Sequence, residues 1–278
     1  MFPRLVAPLA VALAMAVAGC TAPSSPVSPP LPTPTIIASS ATPRATVTPL
    51  KVGDCTGNTE VATGTSAPIE AAPCAEPHFY EVFAILDITD ADLPTAEALE
   101  TRATKECLPA FTAYVGVDSS YSRYSSIYLA PDAVSWEDPA ERRITCLAGS
   151  ASGNLVGSIK ADTAIFPALG ECTGPQDVNP LDVVVLPCKG KHSYEVYAEK
   201  RLTGKAAPTG NALTKLVNSV CAAGFTRFVG VSAAKSTYEY SYFIAEGDLW
   251  PKVKDHRLVC SVGSPAGGIK GSLKGVKK

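Results

Sequence analysis

The chain has 278 residues, of which 46% are hydrophobic, 18% charged and 7% aromatic, with a formal net charge of −2. This is globular composition with room for about two ordinary domains, and it excludes a wholly disordered or fibrous protein. No run reaches the ~18 apolar residues of a spanning helix without other signals, and the charge is near neutral, which argues against a polytopic membrane protein and a strongly basic nucleic-acid binder.

Residues 1–20 read MFPRLVAPLAVALAMAVAGC: Arg4 near the start, an apolar run, then Val17, Ala18, Gly19 and Cys20. The pattern is that of a secretory leader and not of a structural helix. Its last four residues match the bacterial lipobox, whose small side chains enter the signal peptidase and whose cysteine becomes the diacylated N-terminus. Cys20 is therefore expected to carry lipid and to anchor the chain on the outer face of the cytoplasmic membrane. Residues 21–49 follow with eight prolines, eleven Ser or Thr and almost no charge. Such a segment cannot bury a core, and it reads as a tether with polyproline II character. Its reach is on the order of 90 Å when extended at ~3.1 Å per residue, against roughly 30 Å as a flexible coil.

The remainder reads as one unit written twice, over 50–160 and 164–278. At an offset of 114, residues 74–160 and 188–274 share 29 identities over 87 positions. HFYEVFA at 78–84 faces HSYEVYA at 192–198, FTAYVGV at 111–117 faces FTRFVGV at 225–231, and Trp136 faces Trp250. The eight cysteines after Cys20 fall in two matching sets: Cys55, Cys74, Cys107 and Cys146, then Cys172, Cys188, Cys221 and Cys260. In an exported chain these form a disulfide framework rather than reactive thiols or a metal site, and no CxxC occurs. The gap from third to fourth is 39 residues in both sets, whereas the gap from first to second changes from 19 to 16. That independence favours Cys55 with Cys74 and Cys107 with Cys146, then Cys172 with Cys188 and Cys221 with Cys260.

Within each unit a Gly-acid-Cys turn precedes an apolar run, clearest as DVVVLPC at 182–188, which reads as a strand. The next strand, HSYEVYAE or HFYEVFAI, alternates well enough for a half-buried antiparallel position. Pro94 and Thr95 then open a helix with apolar positions Ala98, Leu99, Ala103, Cys107, Ala110, Phe111 and Tyr114 at helical spacing, ended by Gly116; Pro208 and Thr209 do the same later. Strands at about 124–130 and 142–149 complete the unit. The expected fold is α+β: two tandem repeats, each a small antiparallel sheet with one packed helix and two disulfides.

Three histidines occur, His78, His192 and His256, and the first two precede Glu81 and Glu195 by three residues. Residues three apart on a strand point to opposite faces, so a His–Glu metal or acid/base pair is awkward within one unit. A histidine bonded to a backbone carbonyl is the preferred reading. The sharper alternative is a binding site repeated once per unit, made of His78, Tyr80 and Glu81, then His192, Tyr194 and Glu195, with Trp136 and Trp250 as aromatic walls. GxSxG, HExxH, P-loop and dinucleotide patterns are absent, so no catalytic residue, metal or cofactor is assigned. The charge divides unevenly: residues 50–160 carry 7 basic against 16 acidic side chains, and residues 161–278 carry 15 against 10.

The string GDC at 53–55, PCAEPHFYEVFA at 73–84, a spaced cysteine, FTAYVG, Trp136 and RITC at 143–146 resembles the septum-formation domain family of actinobacterial envelope proteins. The carboxy-terminal copy departs from it, with GEC for GDC and Lys191 in place of the proline before His192. The resemblance covers about 50–278 and implies an exported, disulfide-bearing, non-catalytic domain linked to cell division. It carries no catalytic residue over to this chain. The expected role is binding or scaffolding in the envelope, with the membrane, cell-wall polymer or division proteins as partners and no nucleic acid. The alternative is a lipoprotein that carries a wall or lipid precursor in a cavity between sheet and helix.

Overall fold

The computed structural model describes residues 49–57, 60–66, 69–150, 153, 155–176, 181 and 183–278. Cys20, the leader and residues 21–48 of the tether lie outside the described residues. The amino-terminal half contributes β1 (Cys55–Thr56), β2 (Ala71–Ala72), β3 (Tyr80–Asp87), β4 (Ser125–Leu129) and β5 (Arg143–Gly149), which form an antiparallel sheet in the order β2-β1-β3-β5-β4. The carboxy-terminal half contributes β6 (Cys172–Thr173), β7 (Val185–Leu186), β8 (Lys191–His192), β9 (Tyr194–Arg201), β10 (Glu239–Phe243), β11 (Arg257–Gly263) and β12 (Ile269–Lys270). Five of these form a second sheet in the order β7-β6-β9-β11-β10, and β8 pairs with β12 as a ribbon.

Helix α1 (Ala96–Val115) begins where the Thr95 hydroxyl accepts the Ala98 N–H at 3.2 Å and ends at Gly116, whose φ of 89° is the left-handed conformation that glycine adopts without strain. Leu99, Ala103, Cys107, Phe111 and Val115 recur every four residues and are the buried stripe. Phe83 meets Phe111 edge to face, with centroids 5.5 Å apart, and the Cys107–Cys146 disulfide joins α1 to β5.

In the carboxy-terminal half the expected single helix is divided. α2 (Gly210–Val217) runs through a π turn, Asn218–Ala222, into α3 (Ala223–Val229). Within that turn the Tyr197 hydroxyl donates to the Cys221 carbonyl at 2.7 Å, and a side chain inserted into the helical ladder is a recognised cause of such a break. The position before the helix in the other half holds Phe83, which has no hydroxyl to insert. The Cys221–Cys260 disulfide again ties helix to sheet, while Cys55–Cys74 and Cys172–Cys188 staple the turns that open each half. These four bridges are the pairs that the cysteine spacing favours.

Two strand expectations need correction. The run DVVVLPC forms only the two-residue edge strand β7, and Asp182 lies outside the described residues. The first halves of β3 and β9 are not half-buried, since Tyr80 to Phe83 and Tyr194 to Tyr197 are buried on both faces. Helix α1 covers Phe83, while Leu50, Leu129 and Leu147 cluster with Tyr80 and Val82 on the opposite side. Gly149 and Gly263 permit a further close approach: a Cβ there would sit 2.0 Å from the Phe79 carbonyl oxygen and 1.9 Å from that of Ser193.

The connection between the halves is itself core. Ile165 and Phe166 are each only 1% exposed, and Phe166 stacks on Phe243. The backbone N–H groups of both donate to the Asp255 carboxylate, and Arg257 donates to the Phe166 carbonyl. One apolar cluster contains Phe83, Phe111 and Ile165 together with Val196, Phe243 and Trp250, so it runs through both halves.

Candidate functional site

The residues that the sequence nominates as a repeated site are placed inside the fold. Glu81, 1% exposed, accepts from the Tyr114 hydroxyl at 2.5 Å, the Ser158 hydroxyl at 2.6 Å and the Ile159 N–H at 2.6 Å. Glu195, 5% exposed, accepts from the Ser272 hydroxyl and the Leu273 N–H, both at 2.7 Å. Each carboxylate therefore holds down the GSIK or GSLK segment that closes its half. Burial, followed by the hydrogen bond to Glu81, pushes the Tyr114 hydroxyl well above its ordinary range, so it remains a donor.

His78 and His192 are buried, and the Nδ1 of each faces a carbonyl two residues earlier, Glu76 at 2.8 Å and Gly190 at 3.1 Å. Nδ1 is then the donor, and Nε2 in each ring has no hydrogen-bond partner. Tyr80 is buried among apolar side chains, and Tyr194 donates to Glu239 at 2.7 Å. Trp136 lies under the Arg142 guanidinium, and Trp250 stacks on His256 at 3.9 Å; both indoles are buried in short 3-10 turns. The proposal of an open site built from His78, Tyr80, Glu81, His192, Tyr194, Glu195, Trp136 and Trp250 is thus corrected. Apart from the two unpartnered Nε2 atoms, the hydrogen bonds described for these side chains go to backbone and neighbouring side chains.

Between the first sheet and its helix, Phe83, Phe111 and the Cys107–Cys146 bridge are packed together. A cleft of about 1010 Å³ lies elsewhere, where the two halves meet. One wall comes from the amino-terminal half: Ser122 to Ser126 at the start of β4, with Ser119 and Ser120 before it. The lining also includes Val183, Val184 and, from the edge strand β7, Val185, together with the segment Leu155 to Ile159. Leu108, Val156 and Val184 are large apolar side chains left 38%, 65% and 51% exposed, and all three line this cleft. A smaller recess of about 370 Å³ lies beside β10, lined by Ser236 to Tyr240, Gly263 and Ser264, the positions that match Ser122 to Ser126, Gly149 and Ser150 at the offset of 114.

Arg123 is paired within the cleft, whose lining carries one more carboxylate than cations. Arg123 donates to both oxygens of Glu171 at 3.0 and 2.8 Å and reaches the Phe166 carbonyl at 3.3 Å. Burial opposes its charge, yet Tyr124, Glu171 and Asp162 hold the guanidinium protonated above its usual value. The Tyr124 hydroxyl donates to Asp162 beside it. What remains for a ligand is a lining of serine hydroxyls and exposed apolar side chains. None of these residues was singled out in the sequence. The signal that could have found them is departure from internal symmetry: Ser125, Ser126 and Val156 face Glu239, Tyr240 and Lys270 at the offset of 114.

The architecture is that of disulfide-braced antiparallel sheets with packed helices. The septum formation family model matches residues 52–260, and the chain belongs to that family. It is similar to “Putative lipoprotein LppN” of Mycobacterium tuberculosis and to the protein of the same name in Mycobacterium bovis. Each is 31% identical over 90 residues, covering 31% of this chain and 49% of the relative. The chain thus spans about half the length of the curated relatives it matches. No solved structure matches it.

Proposed function

We propose that this chain is a non-enzymatic envelope lipoprotein, anchored through Cys20, that binds a partner during septum formation. The observation that carries the reading is the cleft of about 1010 Å³ between the halves, which combines exposed apolar side chains with a polar wall, as binding sites do. Membership of the septum formation family supports the division role, and the mycobacterial lipoprotein supports the anchor. In this reading the two halves are tandem copies of one module, each with its own sheet and helix. The membrane is contacted through the lipid, cell-wall polymer or a division protein is contacted through the folded part, and nucleic acid is not a partner.

A second use of the same cleft, carriage of a wall or lipid precursor, is favoured by the exposure of Leu108, Val156 and Val184. Time-lapse imaging of a functional fluorescent fusion in dividing cells of the native host tests the division role, with Cys20→Ala as the unanchored control. Enrichment at the septum before constriction is expected. A uniform envelope signal throughout division would overturn the septal role, and mass spectrometry of the purified protein would then be used to look for bound lipid or wall fragments.

A further inference from the structure

We infer that the cleft takes an extended peptide segment of a partner protein, added as a strand to the free edge of β4. The inference rests on the binding role proposed above and names the class of its ligand.

The backbone register supplies the first argument. Tyr128 pairs with Cys146 on β5, yet its carbonyl accepts from Gly64 at 2.7 Å and its N–H donates to the Thr63 hydroxyl at 3.3 Å, so both groups point away from β5. Backbone groups alternate in direction along an antiparallel strand. Ser126, two residues earlier, therefore also directs its N–H and C=O away from β5, at the edge of the sheet and on the wall of the cleft. No hydrogen bond engages either group among the described residues. The same reasoning applies to β7, whose Val185 also lines the cleft. Gly174 donates to the Val184 carbonyl at 3.0 Å, which turns the backbone groups of Val185 outward from β7, the edge of the second sheet.

The chain itself uses this edge in the way proposed. Gly64 and Thr65 lie against Tyr128 to Ala130 with a parallel bridge from Thr65 to Leu129, and Ala130 donates to the Thr65 carbonyl at 3.1 Å. That segment occupies the far part of β4 and leaves the part beside the cleft. Unpaired edge groups call for a ligand with its own regularly spaced donors and acceptors, which is a polypeptide in strand conformation. Side chains of such a segment alternate between faces. The preferred peptide therefore alternates apolar residues, directed to Val156 and Val184, with small polar ones directed to the serines.

The test uses the full folded chain and, as probe, a phage-displayed library of random nonapeptides. Selected peptides are expected to alternate apolar and polar residues and to protect the Ser126 amide from hydrogen exchange. Synthetic versions N-methylated at every second residue are made in both registers. One register should lose binding about tenfold or more, and the other should keep it within about twofold, because only one set of N–H groups reaches the edge. Ser126→Ala, which retains the backbone N–H but loses the hydroxyl, should keep more binding than Ser126→Pro. Ser126→Pro, tolerable on an edge strand, should lose binding. Equal binding by both N-methylated registers would overturn the inference, as would an empty selection or a footprint away from Ser126. Soluble muropeptides and phosphatidylglycerol vesicles are run alongside. If either binds in a manner lost in Val184→Asp while no peptide does, strand addition falls and the binding role stands. If no probe binds, both fall.

Discussion

The ring of Phe166 stacks on that of Phe243, with centroids 5.7 Å apart and planes 17° from parallel. Phe166 belongs to the connection between the halves and Phe243 to the last residue of β10, so the connection is a structural part of the second sheet. Truncating a fully buried phenylalanine costs about 3–5 kcal/mol through lost burial and the remaining cavity. Phe166→Ala should lower stability by that amount in urea unfolding. Because one apolar cluster runs through both halves, parent and variant should each unfold in a single transition by far-ultraviolet circular dichroism and by tryptophan fluorescence. Two separated transitions in the parent would contradict a shared core.

Glu81 has three donors and Glu195 has two, because Tyr114 is matched at the offset of 114 by Phe228. Replacing either carboxylate with an amide leaves one acceptor oxygen and brings an NH₂ against groups that themselves donate. An orphaned buried donor costs about 1–3 kcal/mol. Glu81→Gln should therefore destabilise more than Glu195→Gln, and Tyr114→Phe should cost about 1 kcal/mol by making the first half resemble the second. Hydrogen exchange should accelerate at the Ile159 amide in Glu81→Gln and at the Leu273 amide in Glu195→Gln. Unchanged protection at both would show that the carboxylates do not hold these segments.

Helix α1 was legible because its signals are local: the Thr95 cap, a four-residue apolar spacing and Gly116 act within a turn or two of chain. The disulfide pairs were legible because a fixed gap of 39 residues beside a variable one separates two independent loops. The burial of Glu81 was not, because period-two alternation identifies opposite faces without telling whether a distant segment covers the second. The π turn accompanies a hydroxyl from β9 reaching the Cys221 carbonyl, a tertiary event that the helix's apolar periodicity does not record. The cleft is assembled from residues far apart in sequence, Ser126, Val156 and Val184 among them, and local pattern has no access to that assembly.

Asp255 and Arg257 form a buried pair that also binds the connection between the halves. Arg257 donates from Nε and one Nη to Asp255, each at 2.7 Å, and from the other Nη to Glu199 at 2.7 Å. Burial by itself would raise the Asp255 carboxyl, but Arg257 and the N–H groups of Ile165 and Phe166 outweigh it and hold the group below its ordinary 3.8. A carboxyl depressed in the folded state contributes stability above its unfolded value, and that contribution is lost as pH falls through the folded value. Asp255→Asn should thus be less stable than the parent at neutral pH by roughly 3 kcal/mol, the lower end for a broken buried pair, since Glu199 still faces Arg257. The gap should narrow as pH falls below 3.8. A gap that stays constant between about pH 7 and pH 3 would remove the linkage to Asp255 ionisation.

The four disulfides should not be reduced together. Cys107, Cys146, Cys221 and Cys260 are at most 3% exposed and lie between helix and sheet, whereas Cys74 and Cys188 sit half-buried in surface turns. A thiolate must reach a sulfur in line to exchange with it, so access orders the rates. Loop entropy favours the same order modestly: closing 39 residues restrains the unfolded chain by about 0.7 kcal/mol more than closing 16 to 19 at 25 °C. In a titration of the native protein with dithiothreitol, quenched by alkylation and mapped by mass spectrometry, Cys55–Cys74 and Cys172–Cys188 should open first. The Cys107–Cys146 and Cys221–Cys260 pairs should open only together with loss of the folded signal, because their sulfurs become accessible when helix and sheet separate. Early release of a helix-to-sheet bridge while the fold persists would show that the helices leave the sheets without global unfolding.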